Sequence, residues 1–171
     1  MANQSQTLTR TSLENLYLEL EKPLFNVVFR YVWNKEEAQD LVQESFVRLW
    51  NMRDRVEMVT VKPLVYKICQ NLAASSLRRK KILTFLSLDK AEESRAKDNH
   101  NPEQKEEIQL LKKLINELPA KLKKTILLTE FSNMTYDEIG NSLGIPAGTV
   151  GSRRNKALNT IKEKFKMIYD E

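Results

Sequence analysis

The chain has 171 residues, enough for one medium domain or two small ones, and its formal net charge of +5 suits a polyanionic partner without proving one. Hydrophobic residues make up 41% and charged residues 30%, normal for a soluble helical protein; only four glycines and five prolines argue against turn-rich β architecture. Cys69 is the only cysteine and His100 the only histidine, which excludes an internal disulfide and argues against a zinc centre or histidine-based catalysis.

Residues 1–11 are polar and expected to fray. Ser12 can cap a helix whose stripe runs through Leu13, Leu16, Leu20 and Leu24. Pro23 predicts a break or kink inside it. Phe25, Val28, Phe29 and Val32 carry the apolar face on to Trp33, and Asn34 reads as an N-cap. From Glu36 to Trp50 a second helix puts Ala38, Leu41, Val42, Ser45, Phe46 and Leu49 on one face. Glu37, Asp40 and Glu44 gather on the other. Like charges four apart weaken a helix slightly, so the cluster is either an ordinary solvated face or the seat of a basic partner.

Residues 51–62 read as an irregular charged connection, and Pro63 as the start of a helix running to about Lys81. Leu64, Ile68 and Leu72 are expected inside, with Val65 and Cys69 beside them. Tyr66, Lys67, Gln70, Asn71, Ala74 and Arg78 are expected outside. The closing run Arg78-Arg79-Lys80-Lys81 admits two readings: cations complementing a helix C-terminus, or a nucleic-acid face with Tyr66 able to stack on a base. Residues 82–88 form a short apolar coda expected to dock on one domain. From Asp89 to Glu107 apolar content nearly vanishes, which predicts a flexible linker.

A helix resumes near Pro102 and runs to Leu118, with Ile108, Leu111, Leu114 and Ile115 expected inward. Pro119 starts another, with Leu122, Ile126, Leu127 and Phe131 inward. Asn133 marks a turn, and Thr135 with Glu138 forms a capping-box pattern. Ile139 and Leu143 share a helix face, Gly144 suits a left-handed stop, and Pro146 opens a last helix with Val150, Ala157 and Ile161 inside. This is a helix-turn-helix pattern; the plainer alternative is a helical hairpin in a bundle core. Gly148, Thr149, Ser152, Asn155 and Lys156 point away from Val150, Arg153 lies at the flank, and Arg154 falls oddly near the inner stripe. No apolar run reaches membrane-spanning length and the N-terminus lacks a signal-peptide core, so a cytoplasmic location without membrane insertion is expected.

Four stretches in order resemble one family. They are Asp40–Trp50, Tyr66–Ala73, Leu118-Pro119 with Met134–Gly144, and Pro146–Val150 with Ser152-Arg153. Together they are similar to the small two-domain extracytoplasmic-function (ECF) group of bacterial RNA polymerase sigma factors. The resemblance implies an all-α fold of two small helical domains, the second ending in the helix-turn-helix. Domain two of the family corresponds to residues 1–86, a linker to 87–106, and domain four to 107–171.

The resemblance also implies roles. Asp40, Gln43 and Glu44 become contacts to core RNA polymerase. Lys67, Gln70, Asn71, Arg78 and Arg79 become contacts to the separated strand of the −10 promoter element. Thr149, Ser152, Arg153 and Lys156 become contacts to the −35 element as duplex. Promoter DNA, core polymerase and an anti-sigma protein are the implied partners; no catalytic residue, cofactor, metal or small-molecule ligand is expected. Three positions depart from the family pattern: Leu64 stands where an aromatic is common, Gly151 where a basic residue is common, and Arg154 where a hydrophobic one is. The rival readings are a conventional helix-turn-helix regulator with a sensing or dimerising first domain and, more distantly, a small nuclease. A ligand pocket or stable homodimer would favour the regulator, and polymerase co-purification the sigma factor.

Overall fold

The computed structural model describes residues 8–86 and 102–169, and the side chains of 106–168 in the second stretch. These residues form seven α-helices: α1 (Arg10–Val32), α2 (Lys35–Asn51), α3 (Met58–Leu86), α4 (Pro102–Asn116), α5 (Ala120–Phe131), α6 (Tyr136–Leu143) and α7 (Ala147–Tyr169), with a single 3-10 turn at Arg53–Arg55. Helices α1, α2 and α3 pack on one another, and α5, α6 and α7 do likewise with α4 laid against α7. The two groups also meet, α1 against α5 and α3 against α6. Most of the expected linker, 87–101, lies outside the described residues, as do 1–7. The last part assigned to that linker is already helical from Pro102.

Helix α1 begins one turn before Ser12. Thr9 is the N-cap and Ser12 closes the capping box from the third helical position: the Ser12 amide donates to Thr9 Oγ1 at 3.2 Å and the Thr9 amide to Ser12 Oγ at 2.9 Å. Pro23 does not break the helix. An interior proline costs about 3 kcal/mol. Leu20, Leu24, Val27 and Val28 around it are all buried, and each contributes roughly 1.5–3 kcal/mol, so packing outweighs the lost hydrogen bond. Trp33 ends α1 in the left-handed conformation at φ 52, with its amide donating to the Phe29 carbonyl. Asn34 then caps α2 as expected, its Oδ1 accepting from the Glu37 amide at 2.9 Å.

Helix α3 starts at Met58, not Pro63, and runs on to Leu86. Burial of Val61, Pro63 and Val65 explains the proline's tolerance inside the helix. The apolar coda does not dock as expected. Ile82, Leu83, Phe85 and Leu86 are all exposed, and residues 87–88 are outside the described part. On α4, Leu114 and Ile115 are buried, but Ile108 and Leu111 are exposed, so the helix buries its stripe only toward its C-terminal end.

The helix-turn-helix forms as its local chemistry predicts. Asn133 has φ 54. Thr135 and Glu138 make the reciprocal capping box, the Thr135 amide donating to Glu138 Oε2 at 2.8 Å. Gly144 sits at φ 68 as the left-handed cap of α6. A Cβ on Gly140 would lie 2.5 Å from the Ile145 carbonyl oxygen, so glycine there lets the turn close back on α6. Val150 and Ala157 are fully buried, and Ile161 packs against them.

Candidate nucleic-acid interface

Helix α7 presents Ser152 and Lys156 to solvent, with Thr149 and Arg153 half-buried at the edges of the same face. The Ser152 hydroxyl donates to the Thr149 carbonyl at 3.1 Å, a local bond that an incoming acceptor can replace. Arg154 does not reach outward. Its Nε lies 2.6 Å from Glu130 Oε1 on α5, and this pair, foremost by its hydrogen bond, holds the guanidinium above its ordinary pKa. The ion pair accounts for a charged residue near the inner stripe. A Cβ on Gly151 would lie 3.4 Å from the Tyr136 ring, so an aromatic edge occupies the space beside that position.

On α3, Lys67, Asn71, Arg78 and Arg79 are exposed as expected. Tyr66 and Gln70 are not; they are 0% and 1% exposed. The helical phase puts them on the outer side of the α1–α3 group, and the second group covers that side. Tyr66 Oη donates to the Ser132 carbonyl at 2.7 Å, and Gln70 Nε2 to the Lys124 carbonyl at 3.1 Å. In this arrangement Gln70 is therefore sealed against a nucleic acid. Lys124 Nζ reaches Asn71 Oδ1 at 3.3 Å from the same side.

More contacts close the junction. Lys62 on α3 pairs with Glu138 on α6 at 3.1 Å. Partial burial alone would raise the Glu138 pKa, but the Thr135 amide and the Lys62 ammonium together hold it below the carboxylate range. The Arg30 guanidinium lies 3.7 Å from the Phe131 ring centroid, and Lys123 Nζ lies 5.0 Å from that of Tyr31. Burial, reinforced by Lys81, depresses the Lys123 ammonium to a pKa of about 8. Its Nζ donates to Asn116 Oδ1 at 2.8 Å.

One consequence is a cleft of about 340 Å³ between the two groups. Lys67 and Asn71 face it from α3 and Arg153 from α7, with the buried Gln70 in its wall, so four of the predicted DNA contacts border one space. Lys121 and Lys124 of α5 line it too. Neither lysine stands out in the sequence; the only signal is the short charge run opening α5, and nothing local ties it to residues more than fifty positions away. The remaining predicted contacts, Thr149, Ser152, Lys156, Arg78 and Arg79, are not among the residues lining it.

On α2, Asp40, Gln43 and Glu44 are exposed along one face, with Glu44 paired to Arg48 at 2.8 Å. Glu37 belongs to a different setting: Lys80 and the Ser76 hydroxyl of α3 bind its carboxylate. The acidic cluster is thus split between a structural pair and an outward face. Val47, 54% exposed, extends that face by one turn as an apolar side chain that the charge pattern does not reveal. No helix among the described residues is long and apolar enough to cross a membrane, and they hold no metal-ligating cluster.

Comparison with known proteins gives these surfaces a family. Residues 16–82 match the model for sigma-70 region 2, and residues 108–161 the model for sigma-70, region 4. The ECF RNA polymerase sigma factor SigE of Mycolicibacterium smegmatis is 25% identical over 82% of this chain, which spans 56% of that relative's length. The RNA polymerase sigma-H factor of Pseudomonas aeruginosa is 27% identical over 95% of this chain and 90% of its own length. Among solved structures, the sigma factor RpoE in complex with the anti-sigma factor NepR from Bartonella quintana superposes with a TM-score of 0.66 at 22% identity, covering 91% of this chain and 98% of that one. That likeness supports the fold, and the paired region matches supply the assignment. With region 2 on α1–α3 and region 4 on α4–α7, the chain belongs to the sigma-70 family of RNA polymerase sigma factors, in its ECF group.

Proposed function

We propose that this sigma factor binds core RNA polymerase through the outer face of α2 and carries it to promoters by reading two DNA elements with α3 and α7. Asp40, Gln43 and Glu44, with Val47 beside them, make the polymerase contact. Lys67, Asn71, Arg78 and Arg79 hold the separated −10 strand, and Gln70 joins them once its carboxamide is released from α5. Thr149, Ser152, Arg153 and Lys156 read the −35 duplex. The protein performs no chemistry itself; the polymerase supplies the catalytic centre, and the setting is the cytoplasm.

The observation that carries this reading is the shared basic cleft. Lys67 and Asn71 from one region and Arg153 from the other face a single space of about 340 Å³, too small for duplex and melted strand together. Two separated DNA elements cannot both be read while Arg153 and the Lys67–Asn71 edge of α3 share one space, even though Ser152 and Lys156 stay outside it. The free chain is therefore the closed, weakly binding form, and polymerase separates the regions and fixes their spacing. Once apart, the two weak contacts act bivalently, each raising the effective concentration of the other. An anti-sigma protein, such as the one bound to the similar RpoE, fits as the partner that keeps polymerase from opening the chain.

The test is run-off transcription with purified core polymerase on a promoter library. Initiation at a defined sequence class, abolished by combined replacement of Lys67 and Asn71, supports the reading. Transcription no higher than with core enzyme alone refutes it. Homodimerisation with tight, polymerase-independent operator binding would favour a conventional regulator instead.

A further inference from the structure

Lys67, Lys121, Lys124 and Arg153 line the cleft between the regions, and no carboxylate lines it with them. None of the four forms an ion pair among the described residues. Closure brings cations from α3, α5 and α7 to the walls of one cleft, where like charges face one another. The wall also carries Ser142, 2% exposed, whose Oγ has no hydrogen-bond partner. Buried hydroxyls are ordinarily satisfied, so an unpaired one beside four cations marks a place for an acceptor. The volume, about 340 Å³, falls within the range of small-ligand sites and suits a compact polyanion.

We propose that this cleft is a binding site for a small phosphate-bearing polyanion of the pyrophosphate class, either free or as the phosphate tail of a nucleotide. Two linked phosphates offer enough charge and acceptors to meet lysines from opposite walls at once, together with the Ser142 hydroxyl. Binding replaces mutual repulsion by shared attraction and so fastens region 2 to region 4. The sequence alone gave no reason to expect such a ligand, because the four cations converge only in the folded chain. Because Lys67, Asn71 and Arg153 also belong to the proposed DNA contacts, the bound anion competes with promoter DNA; that consequence rests on the initiation reading, whereas the binding itself does not.

The test is isothermal titration of the full chain with inorganic pyrophosphate and, separately, ADP, against sodium chloride at matched ionic strength. Both probes are expected to bind with one site and to raise the unfolding midpoint, which the chloride control does not reproduce. Tighter binding of ADP identifies a nucleotide as the ligand class; equal binding identifies the phosphates alone. The double variant Lys121→Ala/Lys124→Ala is expected to weaken pyrophosphate about tenfold or more, and Lys121→Arg/Lys124→Arg to retain it. Ser142→Ala removes a hydroxyl that no protein group needs, so it keeps the fold while weakening the anion severalfold. Absence of binding beyond the chloride control, or undiminished affinity in the folded alanine variants, overturns the site. Binding that leaves run-off transcription untouched upholds the site and counts against the DNA role of Lys67 and Arg153.

Discussion

Replacing Tyr66 by phenylalanine isolates the closed junction with a single oxygen atom. The phenol is fully buried between α3 and the end of α5, where it donates to the Ser132 carbonyl at 2.7 Å. Phenylalanine keeps the ring and its packing but leaves a buried acceptor unpaired. A loss of that kind costs about 1–3 kcal/mol. The penalty falls only on the closed form, because separation of the regions exposes the carbonyl to water. The open-to-closed ratio should then rise about tenfold for each 1.4 kcal/mol. If polymerase binds the open form and the free chain is mostly closed, its apparent affinity is reduced by the open fraction, so Tyr66→Phe should bind core polymerase about 5- to 150-fold more tightly. Chemical denaturation should show the same variant to be less stable by the same amount, about 1–3 kcal/mol. The two effects have opposite signs, which an unspecific packing defect does not produce. Affinity measured by fluorescence anisotropy of labelled chain against core enzyme decides the matter. Weaker polymerase binding alongside lower stability would refute the idea that the junction opposes assembly.

Other outcomes follow from single positions. Arg153→Ala should lose about 1–3 kcal/mol of transition from specific to non-specific promoter use if its guanidinium reads a base edge, measured as run-off yield over a −35 mutant series; an unchanged preference would remove it from the contacts. Gly140→Ala should destabilise the chain by about 1–2 kcal/mol, because its Cβ would lie 2.5 Å from the backbone oxygen of Ile145, and the helical preference for alanine is too small to offset that overlap. A thermal midpoint equal to or above the parent's would contradict it. Lys123 is held at about pH 8 when folded against about 10.5 when free, so between these values the unfolded chain carries a proton the folded chain has shed. Stability from this group therefore rises with pH across that window and is lowest below it. The parent should gain stability relative to Lys123→Met from pH 8 to 10, and a flat difference would count against a buried ammonium. Comparing the two chains also cancels Cys69, whose thiol burial pushes up to about 12 and which acts in the opposite sense above pH 9.

Local chemistry was legible in the sequence, and long-range partnership was not. The Asn34 cap, the Thr135–Glu138 capping box, the positive φ of Asn133 and the Gly144 stop each depend on residues within four positions, and each formed. The α2 stripe from Ala38 to Leu49 followed from helical spacing alone. Pro23 and Pro63 misled because proline's cost is local whereas the burial that outweighs it comes from other helices. Tyr66 and Gln70 read as outward because periodicity fixes a face but not what covers it; α5 and the turn after it, more than fifty residues on, supply the cover. Arg154 looked misplaced until Glu130 on a neighbouring helix appeared beside it. The candidate site behaved the same way. Its residues on α2 and α7 could be phased from the sequence, but the meeting of Lys67, Lys124 and Arg153 in one cleft depends on how the regions pack.

The most direct measurement is a distance between the regions with and without core polymerase. Cysteines at Glu57 and Lys162, both exposed, can carry a donor–acceptor pair, while the buried Cys69 thiol, scarcely ionised near neutral pH, reacts slowly and can stay in place. High energy transfer in the free chain, falling sharply when core polymerase is added, is the predicted result. Equal transfer in both states, in a preparation that initiates transcription, would contradict a sigma factor that polymerase must open.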